Sequence, residues 1–196
     1  MDRAYDVVVI GAGPNGLAAA ITCARSGLAV LLIEARDTLG GGCRSAELTR
    51  PGFVHDVCSA IHPLALASPF FRAVPLADFG LAWAHPRAEL AHPLDGGRAA
   101  MLERSFEATA ATLEGDGPAY ERVFAPFARR ADDLYEDTLG PLRFPRHPML
   151  FARFGLQAMQ SASSWARRHF ERAAARALFA GCAAHSFLPL QTPFSA

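Results

Sequence analysis

The stretch Gly11-Ala12-Gly13-Pro14-Asn15-Gly16 constrains this chain more than any other part of it. It follows directly on a short β-branched run, Tyr5 to Ile10, and opens a segment of good helix formers from Pro14 to Gly27. A second apolar run, Leu28 to Ile33, ends at Glu34. Strand, tight turn, helix, tight turn and strand within about thirty residues predict a βαβ unit with a right-handed crossover. Continuous apolarity in the runs predicts parallel strands covered on both faces.

Each glycine of the motif has its own task. Gly11 permits the tight turn, Gly13 lets backbone approach a pyrophosphate, and Gly16 lets the helix pack on the strand. The helix start offers unpaired N–H groups and a partial positive charge to phosphates. Glu34, at the tip of the second run, sits where a carboxylate accepts hydrogen bonds from an adenosine ribose. An acid there disfavours a 2′-phosphate by charge repulsion. These residues alone leave NAD and FAD both open. The chain contains no lysine, which excludes a Walker lysine and a Schiff-base lysine. Its formal net charge of zero gives no pointer to nucleic acid or to an anionic membrane.

The segment Glu34-Ala35-Arg36-Asp37-Thr38-Leu39-Gly40-Gly41-Gly42 resembles the flavoprotein superfamily of amine oxidases and phytoene desaturases, whose ribose acid is followed by an "EAR…GG" loop. Gly13 to Ala20, the Gly40 to Gly42 triplet and Pro51-Gly52-Phe53 are similar, more closely, to the phytoene dehydrogenase-related oxidoreductases. The likeness is strongest over residues 5 to 60 and continues through His62-Pro63 and Ser68-Pro69-Phe70-Phe71. The resemblance implies FAD as cofactor. It implies Gly11, Gly13 and Gly16, with Pro14 and Asn15 between them, at the pyrophosphate, and Glu34 with Ala35 at the ribose. Gly40 and Gly41 match the doublet that lies over the flavin's phosphate and ribitol. Many relatives have arginine directly after the doublet, whereas here Gly42 and Cys43 precede Arg44, so a phosphate contact from Arg44 stays open. Arg36 lies beside the adenine or is a solvated surface residue. No catalytic residue is assigned. His55-Asp56 falls toward the isoalloxazine end by the resemblance, but neighbours in extended chain face opposite ways, and a single acid/base site is not expected there.

The expected fold class is α/β: a Rossmann-like FAD-binding βαβ with an incomplete parallel sheet, then a small β-hairpin region and a mainly helical substrate domain. The expected domains are 1–80 and 81–196. Arg36 to Phe53 reads as loop, Ser68 to Phe79 as a short helix, and Leu81 to Ala84 and Glu89 to Ala91 as short strands. Asp95-Gly96-Gly97 is a hairpin turn with Ala99 to Leu102 as the return strand. Ser105 caps the helix to Leu113, and Pro118 to Leu139 is a long helix kinked at Pro126. A proline-rich link, Gly140 to Pro148, leads to further helices across Met149 to Ala184. The stripe of Phe124, Phe127, Phe151, Phe154, Trp165, Phe170 and Phe179 reads as core, or by the resemblance as the lining of an apolar cavity. Arg167, Arg168, Arg172 and Arg176 read as one amphipathic helix face, solvated or touching a membrane surface or partner.

Cys23, Cys43, Cys58 and Cys182 show no CxxC pair and read as buried thiols in a reducing, cytoplasmic setting, with Cys43 set apart as the exception because it lies in the glycine-rich loop. The histidines lack metal spacing and no metal site is expected. Two strands cannot bury both faces of a sheet, so the chain reads as the N-terminal portion of a longer protein, or as one completed by a partner chain. The faces of Val7, Val9, Leu31 and Ile33 are then expected to lie partly open, favouring poor solubility or weak FAD binding. The functional expectation is hydride transfer from a small apolar substrate to flavin, desaturase-like, with amine oxidation second. A nicotinamide-dependent dehydrogenase and a non-catalytic nucleotide-binding piece are the alternatives.

Overall fold

The structure, a computed structural model, describes residues 4–196; residues 1–3 of the first expected domain lie outside the described residues. The chain divides into two compact units, Met1–Leu81 and Ala82–Ala196.

In the first unit, β1 (Val7–Ile10) pairs in parallel with β2 (Val30–Ile33), Val7 opposite Val30 and Ile10 opposite Ile33. The crossover is α1 (Pro14–Arg25), opened by Pro14 at its first position and closed before Gly27, whose φ of +86° turns the chain back toward β2. Cover is one-sided, which corrects the expectation of two covered faces. Val9 turns toward α1, while Val8 is 54% and Ile10 84% exposed on the other side. The open positions also differ from those expected: Val7, Val9 and Leu31 are half-buried, and of the four named only Ile33 is exposed. Alternation along a strand with one packed helix explains both findings.

The segment read as loop contains an antiparallel hairpin, β3 (Ser45–Glu47) with β4 (Val54–Asp56). Its turn is Arg50-Pro51-Gly52-Phe53, closed by the Phe53 N–H on the Arg50 carbonyl at 3.1 Å, with Gly52 at φ +84°. That is a type II turn, proline pre-setting one central residue and glycine supplying the positive φ of the next. Three-residue strands are too short to show period-two patterning, so polar composition masked them. The expected helix at Ser68 to Phe79 is α2 (Pro69–Ala73) followed by a 3₁₀ turn, Leu76–Phe79, separated at Pro75.

The second unit opens without a strand at Leu81 to Ala84; the first there is β5 (Ala88–Leu94), paired through Asp95–Gly97 with β6 (Arg98–Glu103). Ser105 caps α3 (Phe106–Ala111) by accepting the Ala108 N–H at 3.0 Å. The expected long kinked helix is two helices, α4 (Gly117–Ala128) and α5 (Ala131–Thr138), parted at Arg129 and Arg130. Pro126 stays inside α4, and the break falls a turn later. Three more helices follow: α6 (Pro148–Ala158), α7 (Ala162–His169) and α8 (Ala173–Ala183).

The core of this unit is Leu113, Val123, Trp165, Phe170, Ala174 and Leu178, with Phe124 and Phe179 packed on it. Trp165 stacks on Phe179 with centroids 4.2 Å apart and meets Phe170 edge-on at 5.8 Å. Thr109, fully buried on α3, bonds the Glu103 N–H and carbonyl and so fastens α3 to β6. The four arginines expected on one face belong to different settings, because the chain breaks at Phe170 to Arg172. Arg168 donates to Gln160 Oε1, Arg176 to the Phe170 carbonyl, and Arg172 begins α8 through its backbone. Among the described residues no helix is long and apolar enough to cross a membrane.

Candidate dinucleotide site

The site is built where β1 stops. Gly11 adopts φ +95°, and its N–H donates to the Ile33 carbonyl at 2.7 Å, tying the turn to the end of β2. A side chain at Gly11 would meet nothing within 4 Å, so its requirement is conformational. Gly16 is needed for a different reason. A Cβ there would fall 1.9 Å from the Gly11 carbonyl oxygen and 3.7 Å from Val9 Cγ1. Helix and turn therefore touch at that residue with no room for a methyl group.

Between these glycines, Ala12 is wholly buried and uses both its backbone groups. Its N–H donates to Glu34 Oε2 at 2.7 Å, and its carbonyl accepts the Gly40 N–H at 2.8 Å. One residue thus joins the first glycine turn, the tip of β2 and the second glycine turn. Sequence reading passed over Ala12 because it is a variable position of the motif, where only its backbone matters.

The two glycine turns meet directly. Gly40 lies at φ +109° and Gly41 at φ +54°, and a Cβ on Gly41 would lie 2.9 Å from the Gly13 Cα. Gly13 precedes α1 in extended conformation, and no side chain caps the helix. A Cβ on Gly13 would meet only the Gly41 Cα, at 3.8 Å. Arg44 folds back on this turn, its Nε donating to the Gly41 carbonyl at 2.8 Å. Asn15, Pro14 and Arg36 are exposed along the same rim.

Glu34 accepts the Ala12 N–H on one oxygen and the Arg36 N–H on the other at 3.0 Å. The Ala12 bond and then the Arg36 bond hold its carboxyl below the ordinary carboxylate range, outweighing desolvation, with smaller help from the Ala35 N–H and the Arg44 charge. A carboxyl lowered in the folded state stabilises above its ordinary range, and that contribution is lost as pH falls through the lowered value. Acid titration is therefore expected to loosen this clasp only below the range in which an ordinary glutamate protonates. Chemical-shift titration of the Ala12 amide should show the step in the wild type and lose it in Glu34→Gln.

His55 and Asp56 are both occupied within the hairpin. His55 Nε2 lies 2.7 Å from Thr49 Oγ1, and Asp56 Oδ1 accepts the Ser45 hydroxyl at 3.2 Å. The cysteine reading needs correction at Cys58 and Cys182, which are exposed, and at Cys23, which is only partly covered; Cys43, the exception, is exposed on its turn. Small size allowed burial, but three of them lie on a turn, a strand end and a helix end rather than in a core. The aromatic stripe divides in the same way. Phe170 is core, Trp165 is core and also borders a cavity of about 150 Å³ in the helical unit, and Phe124, Phe127, Phe154, Phe179 and Gln157 line the rest of it.

A family model for the NAD(P)-binding Rossmann-like domain matches residues 9–73. Over 43 residues the chain is 56% identical to dihydrolipoyl dehydrogenase 3 of Pseudomonas aeruginosa, a match covering 22% of this chain and 9% of that protein. Over 47 residues it is 55% identical to digeranylgeranylglycerophospholipid reductase of Methanocella arvoryzae, covering 24% and 12%. Among solved structures, wild-type putrescine oxidase bound to putrescine superposes with a TM-score of 0.54 at 25% identity, over 88% of this chain and 35% of that one. The chain thus spans about a third of that oxidase and about a tenth of the curated relatives. The α/β, Rossmann-like fold class stands on these likenesses and on the βαβ unit itself.

Proposed function

We propose that this chain is the dinucleotide-holding portion of an FAD-dependent oxidoreductase. The observation that carries the reading is the paired glycine cradle. Gly13 and Gly41 face each other backbone to backbone, beside an uncapped helix start and a carboxylate at the neighbouring strand tip. A diphosphate fits a place where no Cβ intrudes and helix N–H groups lack a side-chain partner. Gly11, Gly13, Pro14, Asn15 and Gly16 would hold it, with Gly40 to Gly42 and Arg44 closing the other side. Glu34, with Ala35 and Arg36, would hold the adenosine ribose and its base. The carboxylate's two oxygens keep acceptor capacity after one backbone bond each.

FAD bound there supplies a two-electron acceptor for hydride. The chain's own part would be placement: the turn would hold the phosphates, and Glu34, itself fixed by the Ala12 and Arg36 N–H groups, would accept from the sugar. Similarity to a flavoprotein oxidase over most of this chain favours FAD above a nicotinamide dinucleotide. An apolar substrate, with desaturation ahead of amine oxidation, is the finer proposal. It draws on the aromatic cavity in the helical unit and on the sequence resemblance.

Titrating the purified protein with FAD and with NAD tests the reading. FAD is expected to bind with flavin absorption bands and quenched flavin fluorescence, and Glu34→Ala to weaken it about tenfold or more, as loss of a charged hydrogen-bond partner would. Binding of NAD alone, or of neither, overturns it.

A further inference from the structure

Helix α6 is apolar on both sides. Phe154, Gln157 and Ala158 line the aromatic cavity on one side, and Leu150 is buried. Met149, Ala152, Leu156 and Met159, spaced three or four residues apart, form a stripe on the other. All four are exposed, Met149 at 83% and Leu156 at 69%. In the loop leading into the helix, Leu142 is fully exposed and Phe144 is 83% exposed. A helix apolar all round is ordinarily covered all round, and this one is covered on one side.

The charge around the stripe indicates what covers the other. From Gly140 to Phe170 the chain carries five arginines and no aspartate or glutamate, in a protein of zero formal net charge. Arginines stand at the start, middle and end of the stripe. Arg143 and Arg146 precede it and share a single carboxylate, Glu136. Arg153 lies within it, its guanidinium 5.4 Å from the centre of the Phe127 ring. Arg168 donates to Gln160 Oε1 at 2.7 Å, just past its end. Helix α5 contributes Asp132, Asp133, Glu136 and Asp137, with Asp133 and Asp137 facing His147 at 3.6 and 3.4 Å. Across residues 129–170 seven arginines outnumber these four carboxylates. An apolar patch on another protein would match the stripe but not the surplus guanidinium groups. Hydrocarbon edged by phosphates matches both.

We propose that α6 and the loop before it dock on an anionic phospholipid bilayer. The helix lies in the plane of the interface, with Phe144, Met149 and Leu156 at the acyl boundary and the arginines on headgroup phosphates. At 11 residues it is about 16 Å long, about half a hydrocarbon core, so it rests on the membrane and does not span it. The proposal concerns the helical unit alone and does not rest on the dinucleotide reading.

Flotation of the full chain with phosphatidylcholine vesicles, with and without phosphatidylglycerol, tests it. Partitioning is expected to be about tenfold or more stronger onto the anionic vesicles, and to weaken with salt as the headgroup attraction is screened. Phe144→Asp combined with Leu156→Asp is expected to lower it by about tenfold or more. Both side chains are exposed, so the circular dichroism and Trp165 emission of the free variant should match the wild type. Equal binding by wild type and variant overturns the proposal, because adhesion then comes from another surface, such as the open face of β1 and β2. Partitioning that ignores phosphatidylglycerol and salt overturns the contact between arginines and phosphates. A wild-type dimer in light scattering that the variant abolishes, with no vesicle binding, gives the stripe to a second copy and overturns the proposal as well. So does a monomer that floats with neither kind of vesicle.

Discussion

Gly16→Ala is expected to abolish dinucleotide binding by dismantling the first unit, whereas Gly13→Ala three residues earlier should leave the unit folded. The added methyl at Gly16 lands 1.9 Å from the Gly11 carbonyl oxygen. That oxygen cannot step aside, because the Gly11 N–H is held on the Ile33 carbonyl and Ala12 is fixed on both Glu34 and Gly40. Overpacking of a tight interface costs about 1 to 3 kcal/mol, and more where backbone must move. The upper end applies here, in a unit whose parallel sheet has two strands among the described residues and one open face. At Gly13 the methyl would meet one atom at 3.8 Å, an ordinary contact. It would, however, intrude on the space that the proposed diphosphate would take. Circular dichroism and FAD titration of the two variants separate the roles. Gly16→Ala should lose helix signal and binding together; Gly13→Ala should keep its spectrum and lose about tenfold or more in affinity. Equal folding in both would show that the helix start has slack this geometry denies.

The two variants also mark what the sequence could convey. The βαβ unit was legible because its signals agree at every level: apolar runs, helix formers between them, glycines at the junction and an acid at the second tip. The positive φ of Gly11 and the close packing at Gly16 are what the motif demands. The contact of Gly13 with Gly41 was not legible, since nothing in linear spacing says that two glycine turns touch. Nor was Ala12, whose role lies wholly in backbone groups. The β3–β4 hairpin escaped because three-residue strands carry no period, although Pro51-Gly52 signalled its turn. At Pro118 to Leu139 the helical period continues across Arg129 and Arg130, and the break is a single backbone departure at Arg130, φ −125° and ψ 31°, which side-chain spacing does not signal. Burial statistics describe cores, which is why Cys58 and Cys182 escaped a reading by residue type, whereas the glycine-rich loop already set Cys43 apart.

The helical unit depends on a residue with no sequence signature at all. Asp116 precedes α4 yet does not cap it. Its carboxylate is buried and accepts the Glu171 N–H at 3.0 Å and the Arg172 N–H at 2.7 Å, 55 and 56 residues away, at the start of α8. It therefore does for α8 what an N-cap side chain does locally, satisfying orphan amides and placing negative charge at the positive helix end. Asp116→Ala leaves both amides without this acceptor in a partly buried site, beside Phe170 and the start of the Ala174 to Leu178 core. Losing a hydrogen bond to a charged acceptor costs about 1.5 to 3 kcal/mol, so the partly buried pair is expected to cost about 2 kcal/mol, lowering the melting temperature of this unit by about 8 °C or more. Asp116→Asn keeps one neutral acceptor oxygen and should lose about half as much. Thermal melts followed by Trp165 fluorescence measure both. An alanine variant that melts with the wild type would mean that α8 holds its place by apolar packing alone, and that the buried carboxylate is incidental to the fold.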